Sequence, residues 1–282
     1  MQRPHLSLAR DLLVAMRPGH WVKSAFVLAP AAFAGKLFDP RFAGRAIEAA
    51  LAFGLASSAA YLLNDFRDRQ QDRENPRTRH RPIAAGRLSL AVVLLASATC
   101  AGLAWLAAFQ AGVTRWVAAY LTGSLGYTFA LKGVPLADLA SLVGLYLLRL
   151  GAGAAAVQVP PSPWLLLCGG SLAWVLAWGK RAEGRGPYPV PLVRALLPPF
   201  AACCLAVYLA YTLSQSGQLA LGSCAPATAV PVGVALWRYV RQARAGGGDP
   251  ITLLRTDPLL ALGAATWVLV VLGLLAFRHV PV

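Results

Sequence analysis

The chain turns abruptly polar after residue 63, where the sequence reads Asn64-Asp65-Phe66-Arg67-Asp68-Arg69-Gln70-Gln71-Asp72. The run directly before it, residues 46–63, is too hydrophobic for an ordinary soluble helix. Three of the eleven acidic residues of the chain fall within eight positions here. If the stretch is helical, Asp65, Asp68 and Asp72 stand at i, i+3 and i+7. They would then lie within about 60° of one another, on one helix face.

The residue types in this segment suit a divalent metal and phosphate. Clustered carboxylates bind a hard cation such as Mg²⁺, which usually keeps waters and takes further oxygens from substrate phosphates. Six arginines lie between residues 67 and 81, and guanidinium groups present fork-shaped donors to phosphates. A solvated helix end is the alternative interpretation of the acids. We favour a diphosphate site at the mouth of a membrane protein.

The remainder of the sequence predicts an all-α integral membrane protein. It is 57% hydrophobic and 13% charged, whereas soluble domains are about 25% charged. The apolar residues form blocks of about 18–22 residues, which is the length that crosses a bilayer. We predict a single membrane-embedded domain over residues 1–282 with about nine spans: roughly 22–38, 46–63, 88–110, 114–131, 138–157, 163–179, 194–214, 218–237 and 258–278. Pro30 and Lys36 make the first span the weakest.

The net charge of +15 is distributed as membrane topology requires, so we predict no nucleic-acid partner. Basic residues concentrate before the first span and in the connections after spans two, six and eight. The opposite connections hold only Lys36, Arg41, Arg45 and Arg115. This alternation follows the positive-inside rule. It predicts a multi-pass protein of the plasma (inner) membrane with a cytoplasmic N-terminus and cytoplasmic loops after spans two, four, six and eight.

Three polar residues near the predicted span ends have both an interfacial and a site interpretation. Lys23 follows Trp21 at the start of the first span, where a snorkelling lysine beside an interfacial tryptophan is the favoured interpretation. Tyr127 and Lys132 lie at the cytoplasmic end of span four. Interfacial anchoring and a site role explain these two residues equally well.

The fifth predicted span carries two ionisable residues on one face. Asp138 and Arg149 are eleven residues apart, close to three helical turns, which places them about 16 Å apart along the axis. A lone arginine inside a span is expensive and usually faces a cavity, a partner or an anionic ligand. We therefore expect Arg149 to line a site. Hydrogen bonds to backbone carbonyls of neighbouring helices are the alternative.

The sixth span ends in a second charged segment, Gly179-Lys180-Arg181-Ala182-Glu183-Gly184. It follows the Asp-rich segment by four predicted helices, so the two segments occupy matching positions in two halves of the chain. Topology alone explains Lys180 and Arg181. The matched position nevertheless indicates a site between the halves.

Together these motifs resemble the UbiA superfamily of intramembrane prenyltransferases, and within it the branch that makes decaprenylphosphoryl-5-phosphoribose. The Asn-Asp-x-x-Asp-x-x-x-Asp pattern at residues 64–72 carries the superfamily resemblance. The branch resemblance covers most of residues 16–183 and rests on these segments: Asp72-Arg73-Glu74-Asn75-Pro76, Arg79-His80-Arg81-Pro82-Ile83-Ala84-Ala85-Gly86, Arg17-Pro18-Gly19-His20-Trp21-Val22-Lys23, Leu131-Lys132, Asp138-Leu139, Leu148-Arg149, Ser162-Pro163-Trp164 and Gly179-Lys180-Arg181. Thr78 stands where this branch usually has a basic residue.

The resemblance implies a fold and an activity. The fold would be a UbiA-like bundle of about nine helices around a central cavity open to the cytoplasm. The activity would be a phosphoribosyltransferase that moves 5-phosphoribose from 5-phosphoribosyl diphosphate to a polyprenyl phosphate such as decaprenyl phosphate and releases diphosphate. The product would then feed arabinose-containing cell-wall polymers.

The resemblance also implies roles for particular residues. Asp65, Asp68 and Asp72 would be the catalytic carboxylates that hold Mg²⁺ on the donor diphosphate, oriented by Asn64. Donor phosphates would be contacted by Lys23, Arg73 and Arg81, and a second phosphate by Lys180 and Arg181. The remaining substrate-binding candidates would line the site: Tyr127, Lys132, Asp138 and Arg149.

Two alternatives stay open. The first is a prenyltransferase that moves a prenyl group from a prenyl diphosphate to an aromatic or other acceptor. Ordinary members of the superfamily carry a second Asp-rich motif after span six, whereas this chain has two cations and one acid there. Those residues cannot make a second magnesium site, but they can hold a phosphate. The second alternative is a polyprenyl-phosphate transporter or binding protein, which would need basic residues but no carboxylate cluster.

Overall fold

The computed structural model describes residues 4–184 and 186–279, which fold into helices and turns with no β-strand among them. The all-α prediction is therefore confirmed. The α-helices are, in chain order, α1 (Pro4–Met16), α2 (Ala25–Phe33), α3 (Pro40–Arg67), α4 (Arg69–Glu74), α5 (Leu90–Gln110), α6 (Thr114–Gly126), α7 (Ala137–Ala156), α8 (Pro163–Lys180), α9 (Val190–Leu213), α10 (Gln215–Leu221), α11 (Ala229–Arg244), α12 (Pro250–Thr256) and α13 (Pro258–His279).

Fewer helices than predicted meet the requirements for crossing a membrane. Among the described residues, α3, α5, α7, α9 and α13 are long and apolar enough, and the count reaches six if the bent pair Gln215–Leu221 and Ala225–Arg244 is one span. That pair is bent by 84°. The predicted number of nine spans is not confirmed. Where the sequence predicts the first and fourth spans, α2 has only nine residues and α6 has thirteen.

Helix α7 is the central element of the bundle, since it packs against α2, α3, α6 and α8. Its glycines let the neighbouring backbones approach: a Cβ on Gly153 would lie only 1.9 Å from the carbonyl oxygen of Val27 in α2. Two hydrophobic cores lie on either side. Ala152 of α7 belongs to the core shared with α2, α3, α5 and α6, and Leu139 of α7 belongs to the core shared with α8, α9 and α11.

The Asp-rich segment does not form one continuous helix. Helix α3 ends at Arg67, and α4 covers only six residues before Asn75 becomes extended. The residue before a proline is disfavoured in helical conformation, and Pro76 follows. Pro76 therefore accounts for the end of α4. The expected single helix face for all three aspartates is not formed, because a break falls at Asp68 between α3 and α4.

The connection between α1 and α2 lies against α3 and brings basic residues to its C-terminal half. This connection is a 3-10 turn, Pro18–Ser24. The indole of Trp21 donates to Ser58 Oγ of α3 at 2.9 Å, and Ser58 Oγ donates to the Met16 carbonyl at 2.8 Å. Close packing is helped by Gly54, where a Cβ would lie 2.8 Å from the Trp21 ring. Arg17 and Lys23 are thereby positioned beside the end of α3.

Candidate active site

The first carboxylate of the Asp-rich segment is buried against a cation from the N-terminal part of the chain. Asp65 is 3% exposed. The Arg17 guanidinium donates to both of its carboxylate oxygens, at 2.7 and 2.5 Å. Arg17 has a left-handed backbone, with φ 53°, a conformation that a non-glycine residue keeps only when its surroundings hold it there. Arg17 begins one of the motifs quoted above, but it is not among the predicted site residues.

A second arginine joins two of the three carboxylates. Arg81 Nη1 lies 2.8 Å from an oxygen of Asp72 and 3.7 Å from an oxygen of Asp65. Asp68 points elsewhere: it accepts hydrogen bonds from Asn64 at 3.1 Å and from the Lys132 ammonium. Asp65 and Asp68 therefore have basic partners 48 and 64 residues away, whereas Asp72 pairs with Arg81 nine residues later.

Whether a magnesium ion fits this segment depends on which oxygen atoms the segment offers as ligands. Among the described residues, no group of three His, Cys, Asp or Glu side chains is gathered closely enough to hold one ion. Asp65 and Asp72 nevertheless flank the same guanidinium nitrogen with hard oxygen donors. Mg²⁺ is commonly held by one or two carboxylates together with waters and substrate phosphates. The pair Asp65 and Asp72 fits that pattern, and the assignment of all three aspartates as ligands stays a prediction.

Tyr61 lies one helical turn before Asp65 and contacts both basic residues of the α1–α2 connection. The Arg17 guanidinium lies 5.2 Å from the centre of the Tyr61 ring. Lys23 donates a hydrogen bond of 3.3 Å to the Tyr61 hydroxyl. The structure thus places Lys23 at the site rather than alone at an interface. Sequence reasoning missed Tyr61, since a tyrosine near a span end is typical of interfacial anchoring.

A second basic cluster surrounds His20, whose ring packs edge-on against that of Tyr61. Burial lowers the pKa of His20 to about 3, and the positive charges of Lys23, Arg17 and Lys180 add to the effect. Asp249 is the opposing acid. Burial raises the pKa of Asp249, but hydrogen bonds from Thr252 and the charge of Lys180 leave it below its usual value. The cluster therefore has a net positive charge, with His20 neutral.

Arg181, the neighbour of Lys180, is differently placed. Its guanidinium forms a buried ion pair with Asp138, and both side chains are almost fully shielded from solvent. The Arg181 guanidinium also interacts with the side chain of Tyr127 at the end of α6. Asp138 and Arg149 are predicted to share a helix face, but their side chains have different partners. Asp138 neutralises Arg181, so Arg181 is less available to an anion than Lys180.

Arg149 is buried among the helices of the bundle. It donates to the carbonyl of Leu145 at 2.9 Å, to Ser57 Oγ at 3.0 Å and to Tyr120 Oη at 2.9 Å. Its Nε has no hydrogen-bond partner among the described residues. These contacts tie α7 to α3 and α6. The only carbonyl among these partners belongs to α7 itself, and the site-lining role of Arg149 stays a prediction.

Two further contacts complete the frame of the site. Arg73 Nε donates to the carbonyl of Ala84 at 2.7 Å, which fixes the turn that carries Arg81. The Glu183 carboxylate accepts hydrogen bonds from the backbone of Gly248 at 3.1 Å and Asp249 at 2.9 Å. Glu183 therefore joins the end of α8 to the loop that carries Asp249, which lies 66 residues away.

An apolar cavity of about 420 Å³ opens beside Lys23. Helix α8 lines it from Trp164 to Leu176, a distance of about 18 Å at 1.5 Å per residue. Lys180 follows Leu176 by one turn. Aromatic side chains line other parts of the wall: Phe26, Phe33, Tyr146, Tyr208, Tyr211, Tyr239 and Trp267. The cavity suits a long hydrocarbon whose polar end lies near Lys23.

A helical bundle with membrane-length helices, an acidic segment and a basic cluster beside an apolar cavity is the arrangement expected of a membrane-embedded transferase. The family model for the UbiA prenyltransferase family matches residues 24–249, and the chain belongs to that family. The predicted family resemblance is confirmed.

The curated relatives agree with the branch that the motifs indicate. The chain is 32% identical to the decaprenyl-phosphate phosphoribosyltransferase of Corynebacterium glutamicum, over 95% of this chain and 87% of the relative. It is 30% identical to the enzyme of the same name from Mycobacterium tuberculosis, over 98% and 97% respectively.

A solved structure supports the fold. A UbiA homolog from Archaeoglobus fulgidus, bound to DMAPP and Mg²⁺, superimposes with a TM-score of 0.68 over 94% of this chain and 99% of the other. The two sequences are 13% identical, so this likeness establishes the fold alone.

Proposed function

We propose that this protein transfers 5-phosphoribose from 5-phosphoribosyl diphosphate to a polyprenyl phosphate, of which decaprenyl phosphate is the leading candidate, and releases diphosphate. The observation that carries the proposal is the pair of unlike charged clusters around Tyr61. The Asp65 side has carboxylates with arginines, as a metal-bound diphosphate needs. The Lys180 side is basic and adjoins the apolar cavity, as a lipid phosphate needs. The names of the curated relatives support the same reaction.

In this proposal the donor binds at the Asp-rich segment. Asp65 and Asp72, together with Asp68, would hold Mg²⁺, which neutralises charge on the leaving diphosphate when bound. Arg81 and Arg17 already contact these carboxylates and would turn their guanidinium groups to the donor phosphates. Asn64 and Lys132 would keep Asp68 oriented. Arg73 would act through the turn that carries Arg81.

The acceptor binds on the opposite side of Tyr61. Its hydrocarbon tail would occupy the apolar cavity, and its phosphate would be held by Lys23 and Lys180. Arg181 would support Lys180 from its ion pair with Asp138, near Tyr127, while Arg149 holds the surrounding helices together. This assigns Lys23 to the acceptor rather than to the donor, because Lys23 lines the cavity.

The chemical step needs little more than positioning. An acceptor phosphate oxygen would bond to C1 of the ribose while the bond from C1 to the diphosphate oxygen breaks. The acceptor oxygen is already anionic at pH 7, so no strong general base is required. Positioned cations would stabilise the charge on both anionic groups, and such preorganised electrostatics is usually the largest catalytic effect.

The proposal places the reaction at the cytoplasmic face of the plasma (inner) membrane. The basic loops that contain residues 67–87 and 238–255 carry the charge that the positive-inside rule assigns to that side. Cysteine accessibility in sealed inner-membrane vesicles of known orientation would test this. A cysteine that replaces Arg77 should be labelled from the cytoplasmic side of the membrane. If it is labelled only from outside right-side-out vesicles, the proposed orientation is wrong.

The test of the activity is an assay of purified protein in detergent with labelled 5-phosphoribosyl diphosphate, decaprenyl phosphate and Mg²⁺. The expected result is a lipid-extractable phosphoribosyl product that disappears when a chelator is added. A parallel reaction contains a prenyl diphosphate with 4-hydroxybenzoate. Turnover there, without a phosphoribosyl product, would favour the prenyltransferase alternative. Metal-independent binding of decaprenyl phosphate without either reaction would favour a binding protein or transporter.

A further inference from the structure

Tyr61 is the residue that both halves of the proposed site share. It lies in α3, four residues before Asp65. Its ring contacts Arg17, and its hydroxyl accepts the hydrogen bond of Lys23. Arg17 holds the Asp65 carboxylate, whereas Lys23 lines the apolar cavity. The hydroxyl contacts Lys23, while the ring lies near both cations, with Lys23 Nζ 5.9 Å from its centre. Removal of the hydroxyl alone therefore acts on Lys23 and not on Arg17.

The ring and the hydroxyl act separately. A cation over an aromatic face is attracted by the ring quadrupole and does not need the hydroxyl. A lysine hydrogen bond to a phenol needs the oxygen and is largely independent of the ring face. His20 packs edge-on against the same ring, with centroids 5.3 Å apart. This packing limits the movement of the ring, so both cations have a fixed support.

Arg17 and Lys23 need such a support because of the charges around them. Arg17 and Lys23 are on one short turn, six residues apart, together with neutral His20. Like charges this close repel one another, and long side chains lose rotamer freedom when they are held in one position. Tyr61 offers each of them a favourable contact on a rigid helix and so holds one cation toward Asp65 and the other toward the cavity.

We propose that Tyr61 is a positioning residue that orders two distinct anion sites: through its ring, Arg17 at a diphosphate site beside Asp65; through its hydroxyl, Lys23 at a phosphate site at the cavity mouth. The assignment of the two anions to donor and acceptor rests on the proposed function. The existence of two sites, separately sensitive to the ring and the hydroxyl, does not.

Two matched variants separate the two effects. Tyr61→Phe keeps the ring and removes the hydroxyl, while Tyr61→Leu removes both. Binding of two compounds to the purified full chain is measured by isothermal titration calorimetry: inorganic diphosphate with Mg²⁺, and farnesyl phosphate. Farnesol controls for the tail alone. Melting temperatures in the same detergent control for folding.

The expected pattern is asymmetric. Tyr61→Phe should weaken farnesyl phosphate binding about fivefold, the net size of one ordinary hydrogen bond, and leave Mg²⁺-diphosphate binding unchanged. Tyr61→Leu should weaken both several-fold, with farnesol binding unaffected. Equal effects of Tyr61→Phe on the two anions, or no effect on farnesyl phosphate, would overturn the inference. So would a wild-type protein that binds farnesyl phosphate no better than farnesol.

An activity measurement distinguishes this inference from the proposed function. In the phosphoribosyl transfer assay, Tyr61→Phe should raise KM for decaprenyl phosphate while KM for the donor stays unchanged. If the wild-type protein transfers no phosphoribose but the binding pattern holds, the proposed function fails and the positioning role stands. If transfer occurs and the KM values of the two substrates change together, the positioning role fails alone.

Discussion

The ends of α3 and α8 carry charged segments at matching positions, but the structure treats their charges in opposite ways. At the α3 end, Asp65, Asp68 and Asp72 each meet a cation from another part of the chain. At the α8 end, Arg181 is neutralised by Asp138, while Lys180 contributes positive charge to the cluster around His20. The number of charges in a segment is therefore a poor guide to the charge that a ligand would meet.

This difference indicates that the charges at the ends of α3 and α8 have different roles. The α3 end pairs each of its three aspartates with an arginine or a lysine. The α8 end uses one ion pair for the structure and leaves the adjacent lysine for binding. Four substitutions test this contrast, and the first has the largest expected effect.

Asp65→Asn should abolish most of the activity, with a loss of about 10³-fold in kcat/KM for phosphoribosyl transfer. Removal of one preorganised charged group from a catalytic site typically costs 10²–10³-fold, and this carboxylate also orients both Arg17 and Arg81. The assay above, run at saturating Mg²⁺, measures the effect. Asp39→Asn is the control, because Asp39 caps the opposite end of the same helix and asparagine is an equally good cap. Equal losses in both variants would contradict a site-specific role.

Arg181→Gln should act on stability before it acts on binding. It leaves the Asp138 carboxylate buried without a charged partner, and breaking a buried ion pair from one side costs about 3–5 kcal/mol. A large drop in melting temperature in detergent is expected. The double variant with Asp138→Asn should recover part of it, since the unpaired charge is then gone. A stable Arg181→Gln protein with impaired acceptor binding would break the contrast between Arg181 and Lys180.

Lys180→Gln, the same substitution one residue earlier, should do the reverse. We expect a much smaller drop in melting temperature than for Arg181→Gln, because Lys180 is not part of the buried Arg181–Asp138 ion pair. We also expect about a tenfold higher KM for decaprenyl phosphate, because a charged hydrogen-bond donor contributes about 1.5–3 kcal/mol. Steady-state kinetics with varied acceptor measures this. If only the KM of the donor changed, Lys180 would belong to the diphosphate site beside Asp65 instead.

His20→Gln should have the smallest effect, visible only in acid. The native pKa of about 3 lies below the ordinary value of 6.5, so the unfolded chain binds a proton more readily than the native protein. His20 therefore costs no stability above pH 6.5, and it increasingly destabilises the native protein as the pH falls from 6.5 toward 3. The variant should lose less thermal stability than wild type between pH 6.5 and 4.5. Parallel pH profiles would show that His20 is not held neutral.

The sequence by itself determined the all-α membrane class, the Asp-rich segment, the basic segment after the sixth apolar run and the family. Composition, apolar block length and local motifs carry this information, because each is read within a few tens of residues. The predicted count of nine spans was not determined by this local information. Apolar blocks do not reveal that α2 is short or that α10 and Ala225–Arg244 bend by 84°.

Only the tertiary structure decided the partners of the charges. Arg17 meets Asp65 across 48 residues, and Arg181 meets Asp138 across 43. Asp138 and Arg149 share a helix, yet each side chain turns to a different neighbour. Such pairs depend on how helices and turns pack, since a charge is stabilised by whichever opposite group the fold buries beside it. Tyr61 became visible as a shared support for two cations only when the α1–α2 turn was placed against α3.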